Sequence, residues 1–334
     1  MISDGRSARH LRPVVAAVAA AAALALLAAC GSSGGGTGST SGGSQPGGTK
    51  PAGSTSAGST AIPTADVVSG VHADPTLTAE LPASVRKRGT LTLGTTIVPG
   101  TQGLPHGAQI DGKDVGVDVD LRNAVAKVLG VSWKVENGTF ATVIPGVQNG
   151  KYDVGQDNFG VTKEREKVVD YATYLTDGQG FLAASNVKID KAASLTDLCG
   201  LTIATSPGST FQQLLTNAKD VCAKAGKKNF SVQYFADSAP IFLGLANGKV
   251  DIYFGPTLSL QYDATHVPNT KFLGQISSTV VGFVTAKGSP LTKPLSDAVN
   301  KLIADGEYAK ILDKWGVLAS SGIKASQVNP PATF

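Results

Sequence analysis

The residue types that could do chemistry are few in this 334-residue chain. Four histidines are scattered and fit none of the spacings that bind metals: His10, His72, His106 and His266. Gly31-Ser32-Ser33-Gly34-Gly35 fits the G-x-S-x-G pattern of serine hydrolases. That motif requires a strand before it and a helix after it, and this copy lies in a Gly- and Ser-rich stretch, so the match is coincidental. The sequence therefore predicts no metal and no cofactor.

The first cysteine marks a targeting segment. Three arginines precede an uninterrupted apolar run over residues 14–29, which ends in Leu27-Ala28-Ala29-Cys30. This resembles a bacterial lipobox, in which the peptidase cuts before the cysteine and the thiol receives a lipid. We expect a lipoprotein signal peptide over residues 1–29 and lipidation of Cys30. The alternative is an ordinary secretory signal with an incidental cysteine.

The other two cysteines, Cys199 and Cys222, form an even pair in an exported protein. Such pairs are usually oxidised outside the cytoplasm, so we predict a disulfide between them. Two buried free thiols are the alternative.

The segment after the predicted cleavage site consists mainly of Gly, Ser, Thr, Ala and Pro. It has too little apolar surface to offset the entropy of ordering, and residues 30–80 are predicted to be a disordered tether. Its end-to-end distance would be about 35–40 Å, which would hold a folded body clear of a membrane. The net charge of +4 includes a basic leader, so the mature chain carries no electrostatic signal for nucleic acid.

Two short segments of the chain are alike. NGKYDVG over residues 149–155 returns as NGKVDIY over residues 247–253, each time after an apolar helical pattern and before a β-prone run. Asn-Gly is a helix stop in both copies. Further helix and strand patterns flank each copy, so the chain is predicted to contain two α/β units.

The remaining patterns suggest how the two units are connected. Residues 178–184 and 280–286 are apolar strands, and two amphipathic helices follow the second of them. We predict lobe 1 at 81–178 and 283–318, lobe 2 with hinge strands at 179–282, and a tail at 319–334. Ligands favour clefts between such lobes.

Seven blocks between Leu81 and Leu318 resemble one known family. They are LTLGTTIVPG, GVDVDLRNAVAKVLGV, FATVIPGVQNGKYDVG, VTKEREKVVDYATYL, DLCGLTIATSPGSTFQQLL, LANGKVDIYFGP and AKGSPLTKPLSDAVNKLIADGEYAKILDKWG. In this order they are similar to the family 3 solute-binding proteins, the polar-amino-acid receptors of ABC importers. The resemblance implies an α/β, periplasmic-binding-protein type II fold, in which two crossover strands join two lobes around a ligand cleft. The placement of the paired cysteines is similar to that in actinobacterial members.

The resemblance also implies a ligand site. Thr162-Lys163-Glu164-Arg165 matches a motif whose arginine binds the ligand carboxylate, which suits a planar guanidinium. Gly208-Ser209-Thr210 matches a second-lobe segment where a helix start binds anions, so both lobes would grip one carboxylate. The alternatives are a solvated surface arginine and a Ser209 that only caps its helix. The expected ligand-binding residues are Arg165, Asp157, Asn158, Phe159, Gly160, Ser209, Thr210, Thr95, Val98 and Pro256.

Four of these positions depart from the family pattern. Pro256 stands where members usually have the aspartate that binds the ligand ammonium, and Thr95 and Val98 stand where members often have an aspartate and an aromatic residue. Asp157 occupies a position where members commonly have a small residue. It is expected either to supply the missing cation subsite or to pair internally with Arg165.

The favoured function is a monomeric, extracytoplasmic receptor, anchored by lipid to the outer face of the cell membrane. It would bind an amino acid or a similar small polar carboxylate and deliver it to an ABC permease and its ATPase. One alternative is a sensing or scaffold lipoprotein on the same fold. The other is a dehydratase-like enzyme, for which Asp157 is a candidate general acid without a visible partner.

Overall fold

A computed structural model of the chain describes residues 61–334. In this part the helices are α1 Pro75–Glu80, α2 Ala83–Arg88, α3 Val117–Leu129, α4 Phe140–Gln148, α5 Lys163–Glu166, α6 Thr210–Asn217, α7 Val221–Lys224, α8 Ser238–Asn247, α9 Thr257–His266, α10 Thr292–Ala304, α11 Glu307–Lys314 and α12 Leu318–Ser321. The strands are β1 Thr90–Thr95, β2 Val98–Pro99, β3 Ala108–Ile110, β4 Lys113–Val115, β5 Ser132–Asn137, β6 Val154–Gly155, β7 Val169–Ala184, β8 Thr202–Thr205, β9 Ser231–Tyr234, β10 Ile252–Pro256 and β11 Thr270–Ala286.

Eight of these strands form one sheet in the order β5-β1-β6-β11-β7-β10-β8-β9. On one side β1 runs parallel to β5 and β6, and on the other β8 runs parallel to β9 and β10. We call β5-β1-β6 with their helices the first half, and β10-β8-β9 with theirs the second half. The predicted α/β fold is thus confirmed.

The halves are joined by β7 and β11, which are 16 and 17 residues long and pair antiparallel with each other. The residues near the start of β7 pack in the first-half core, whereas Phe181 to Ala184 pack in the second-half core. The predicted apolar strands at 178–184 and 280–286 are therefore the end segments of two longer connecting strands.

The repeated segments perform the same task in each half. In the first, Asp153 accepts a hydrogen bond at 2.7 Å from the backbone N–H of Thr92, the third residue of β1. In the second, Asp251 accepts one from the N–H of Thr202 at 2.8 Å, at the start of β8. Each copy has a glycine in the left-handed region after its helix, Gly150 at φ 77° and Gly248 at φ 73°. The repeat therefore ends a helix and fastens the following strand to its neighbour.

Separate clusters of buried apolar side chains support the two halves. The first-half core includes Leu93, Leu121 and Val125, and helices α10 and α11 add Leu295 and Leu312 to it. The second-half core surrounds Ile203, Ile241 and Phe254. Cys199 and Cys222 form the predicted disulfide next to this second core, with their Cα atoms 5.6 Å apart.

The predicted end of the tether at residue 80 is wrong. Residues 75–80 are helical, and Asp74 caps this helix by accepting hydrogen bonds from the N–H groups of Thr76 and Leu77. Val71 is buried at 6% exposure in the first-half core, and Val67 and Val68 pack against it. These valines bury enough apolar surface to order the segment, although polar residues surround them in the sequence.

The predicted signal peptide, Cys30 and most of the predicted tether lie outside the described residues. Within residues 61–334, none of the helices combines the length and the apolar character needed to cross a bilayer.

Replacing Asp251 by alanine should destabilise the protein, because the N–H of Thr202 loses its acceptor inside the sheet. We expect Asp251→Ala to lower the free energy of unfolding by about 1–3 kcal/mol, measured by urea denaturation with the disulfide intact. Asp190→Ala is the control, since the side chain of Asp190 is 98% exposed beside Lys271, and its loss should cost less than about 1 kcal/mol. Equal costs for both variants would contradict this role of the repeat.

Candidate ligand-binding site

A cavity of about 540 Å³ lies between the two halves. Segments that directly follow the parallel strands form much of its lining. Examples are Thr96 after β1, Asp157 after β6, Ser206 after β8 and Ser259 after β10. Carboxyl ends of parallel strands are the usual place for ligands in α/β proteins, and this volume lies in the range of small-molecule sites. The cavity is therefore the candidate ligand site.

Eight of the ten residues expected to bind a ligand border this cavity. They are Thr95, Val98, Asp157, Asn158, Gly160, Ser209, Thr210 and Pro256. Phe159 does not border it. Its side chain is fully buried behind the site and packs on Phe140, with ring centroids 4.9 Å apart.

Arg165 also lies outside the cavity lining, on the short helix α5. Its Nη1 donates to the carbonyl of Gly160 at 3.0 Å, and its Nη2 donates to the carbonyl of Gly208 at 2.9 Å. The guanidinium therefore joins the two halves instead of pointing into the cavity as a free carboxylate ligand. The alternative of a solvated surface arginine does not describe it either.

Ser209 caps helix α6. Its Oγ accepts from the N–H of Gln212 at 3.1 Å and donates to the carbonyl of Ser206 at 2.6 Å. The N–H of Gly208 donates to the Gln212 side chain at 2.6 Å. The interpretation of Ser209 as a cap is confirmed, and Thr210 beside it still borders the cavity.

Asp157 accepts a hydrogen bond but forms no ion pair with the described residues. Thr96 Oγ1 donates to its Oδ2 at 2.6 Å. Burial raises the pKa of Asp157 to about 7, with Asp118 raising it further and the Thr96 bond and the charges of His106 and Arg165 opposing the rise. Because the guanidinium of Arg165 is bound to two carbonyls, the direct Asp157–Arg165 pair considered from the sequence is not formed.

Next to Asp157 lies a buried ionic network. His106 Nε2 is 2.9 Å from Asp177 Oδ2, and its Nδ1 is 3.3 Å from Asp118 Oδ2. Burial lowers the pKa of His106, but the charges and hydrogen bonds of the two aspartates outweigh burial and raise it to about 10. The imidazole is therefore charged at neutral pH and neutralises much of the negative charge on these acids.

Asp177 is the centre of this network. Its Oδ2 also accepts from Asn158 Nδ2 at 2.9 Å, and its Oδ1 accepts from the N–H groups of Gly178 at 2.7 Å and Leu258 at 3.1 Å. Asn158 has a φ of 51°, a left-handed conformation that asparagine tolerates better than most residues. The bond to Asp177 holds Asn158 in this conformation, next to Asp157.

The sequence did not identify His106, Asp118 or Asp177 as site residues. His106 has no second ligand at metal-binding spacing in the sequence, and Asp118 lies in the first turn of α3, where an acid is common for reasons of helix stability alone. One signal was present, because Asp177 is the single charged residue between Tyr171 and Ala184 in a long apolar strand.

Among residues 61–334, most of the ionisable side chains that border the cavity are acidic. Four carboxylates face two basic groups, and one of the basic groups, Arg122, already pairs at 3.1 Å with Asp114 outside the lining. The acids are Asp118, Asp157, Asp177 and Asp237. Such a cavity favours a ligand with positive charge.

Comparison with known proteins places this architecture in a family. Residues 100–317 match the bacterial extracellular solute-binding proteins, family 3. The ABC transporter glutamine-binding protein GlnH of Bacillus subtilis is 30% identical, over 61% of this chain and 73% of the relative.

Two solved structures are similar across almost their whole length. An ancestral arginine-binding protein bound to arginine is 31% identical, with a TM-score of 0.61 over 69% of this chain and 99% of that chain. The ancestral amino acid-binding protein AncCDT-1, a precursor of cyclohexadienyl dehydratase, is 28% identical, with a TM-score of 0.59 over 70% and 97% of the two chains. The expected type II periplasmic-binding-protein fold is thereby confirmed. The chain belongs to the bacterial extracellular solute-binding proteins of family 3.

Proposed function

We propose that this protein is the solute receptor of an ABC importer and that it binds an amino acid with a cationic side chain, such as arginine or lysine. The observation that carries the proposal is the acidic cavity, whose wall includes Asp157. Asp118 and Asp177 are tied to His106, whereas Asp157 accepts a single hydrogen bond from a neutral hydroxyl. An ammonium or guanidinium group next to Asp157 would supply the missing positive charge.

The relatives support this class of ligand. The ancestral protein is described as bound to arginine, and an arginine-binding protein of Corynebacterium glutamicum is among the similar proteins. The cation would lie on the first-half side of the cavity, because Pro256 occupies the end of β10 where the family usually has an aspartate. The receptor would then present its closed form to a permease and an ATPase in the membrane.

We further propose that the protein binds its ligand without chemical conversion. Elimination of water by acid–base catalysis is served best by two enclosed groups of different protonation state, one to take the proton and one to protonate the leaving hydroxyl. Asp157 has a pKa near neutrality, but of the other acids that border the cavity, Asp118 and Asp177 are bound to His106 and Asp237 is exposed to solvent. None of these three is therefore an enclosed acid free to act beside Asp157, which favours binding over dehydration.

Attachment to the outer face of the cell membrane through Cys30 is the remaining part of the proposal. It rests on the arginines, the apolar run and the Leu-Ala-Ala-Cys sequence at residues 27–30.

Asp157→Asn should weaken the binding of arginine or lysine by about 2–5 kcal/mol, because it removes the buried partner of the ligand cation. Titration calorimetry of the purified protein measures this directly. Asp237→Asn is the matched control, since Asp237 is an exposed acid at the same cavity. Its replacement should change the affinity for the ligand by less than about threefold. Equal affinity of wild type and Asp157→Asn for the cationic ligands would contradict the proposal.

Cation binding should also depend on pH with a definite sign. The pKa of Asp157 is raised to about 7, so a proton competes with the ligand below that pH, and affinity is full above it. We expect arginine to bind about tenfold more weakly at pH 6 than at pH 8. His106, with its pKa raised to about 10, stays charged over this interval. Asp157→Asn should give a flat profile, and an unchanged slope in that variant would assign the effect to another group.

The lipid anchor has its own test. In the native bacterial host, Cys30→Ser should move the protein from the membrane fraction to the soluble fraction and abolish labelling by a radioactive fatty acid. Cys199→Ser/Cys222→Ser is the control, because these cysteines form the disulfide and should leave labelling intact. Retained labelling of Cys30→Ser would rule out the anchor.

A further inference from the structure

A buried tyrosine of the second half forms part of the cavity wall. Tyr253 is the second residue of β10, borders the cavity and is 9% exposed. Its ring packs against Phe242 of α8, with the ring planes at 85° and the centroids 5.8 Å apart. Among residues 61–334, none forms a hydrogen bond with its hydroxyl, and the oxygen is not fully enclosed by protein atoms. Buried tyrosine hydroxyls usually have a partner, so this one is available to a ligand.

A glycine lets the tyrosine ring reach the end of its strand. Gly255 lies two residues after Tyr253 on the same face of β10, since side chains alternate along a strand. A Cβ atom at Gly255 would lie 3.0 Å from Cε2 and Cζ of the tyrosine and 3.3 Å from its Oη. The outer end of the ring therefore lies over Gly255. Because this glycine is nearer the carboxyl end of β10, the ring points along the strand toward the cavity.

The charges that act on the hydroxyl are negative. Burial raises the pKa of Tyr253 well above its ordinary value, and the charges of Asp263 and Asp157 raise it further. The phenol is therefore neutral at physiological pH. Asp263 lies outside the cavity lining, and burial raises its pKa to about 8, so it carries little charge at neutral pH. Asp157, in contrast, borders the same cavity as Tyr253.

Asp157 and Tyr253 belong to opposite halves. Asp157 follows β6 in the first half, whereas Tyr253 lies on β10 in the second. An ammonium has three N–H groups and a guanidinium has five, of which a carboxylate bound at two points accepts two. In an enclosed cavity, each N–H group that is left without an acceptor costs free energy. The oxygen of Tyr253 is a neutral acceptor for one of the remaining N–H groups.

We propose that Tyr253 binds the same cationic group of the ligand as Asp157, from the other half of the protein. This inference rests on the proposed function and adds a second-half residue to the recognition of the cation. A group that both halves bind is fully held only when the halves are together. The positive charge of the ligand therefore favours the closed form.

The test is a double-mutant cycle on arginine binding. Equilibrium dialysis with radioactive arginine measures both weak and tight binding. Tyr253→Phe removes the hydroxyl and retains the ring. It should weaken arginine binding about tenfold when Asp157 is intact, because a hydrogen bond to a charged group is lost. In the Asp157→Asn background the same change should weaken binding less than about threefold, since two residues that bind one group are coupled.

Tyr262→Phe is the matched control. Tyr262 lies on α9 of the same half, outside the cavity lining, where its ring stacks on His266 with centroids 3.8 Å apart. Loss of its hydroxyl should leave the affinity for arginine within about twofold of wild type. Thermal unfolding followed by circular dichroism verifies that each variant is folded.

Two outcomes would overturn the assignment of Tyr253 alone. One is a loss of less than about threefold in Tyr253→Phe, although Asp157→Asn weakens arginine binding strongly. The other is an equal loss in both backgrounds, which would place the hydroxyl at another part of the ligand. If wild type binds neither arginine nor lysine in dialysis, the proposed function itself fails, and the contact with the cation fails with it.

Discussion

The buried ion pair between His106 and Asp177 is the interaction on which the site depends. Asp177 lies on β7 where this strand passes from the first half to the second, and its carboxylate accepts from His106, Asn158 and the N–H of Leu258. A buried carboxylate is costly unless its lone pairs are satisfied, and here charged and neutral donors satisfy both oxygens. One side chain thereby fixes the loop around His106, the segment after β6 and the start of α9.

This network explains how several acids in one cavity can have different roles. Asp118 and Asp177 share the imidazolium of His106, so one positive charge inside the protein offsets part of their negative charge. Asp157 lies just after β6, but it is bonded to the neutral hydroxyl of Thr96 and has a pKa of about 7. Burial without a counter-ion leaves it as the group that gains most from an incoming cation.

Corresponding hydrogen bonds position the strands in the two halves. Asp153 and Asp251 each accept a hydrogen bond from a backbone N–H of a neighbouring strand, so β6 and β10 begin at corresponding places in their halves. The residues at the carboxyl ends of these two strands differ, with Asp157 after β6 and Pro256 at the end of β10. Asp157 therefore lies on the first-half side, while the second half contributes Asp237, the cap at Ser209 and the carbonyl of Gly208.

The sequence by itself determined the elements, the repeat, the disulfide and the family, because these depend on local periodicity, on turn residues and on blocks of neighbouring residues. The tertiary structure decided which side chains meet. His106 and Asp177 are 71 residues apart, and Arg165 and Gly208 are 43 apart. No local pattern specifies such contacts, since the direction of a long side chain depends on the surface that the rest of the chain offers it. The same reason applies to Val67, Val68 and Val71, which are ordered because the first-half core lies beside them.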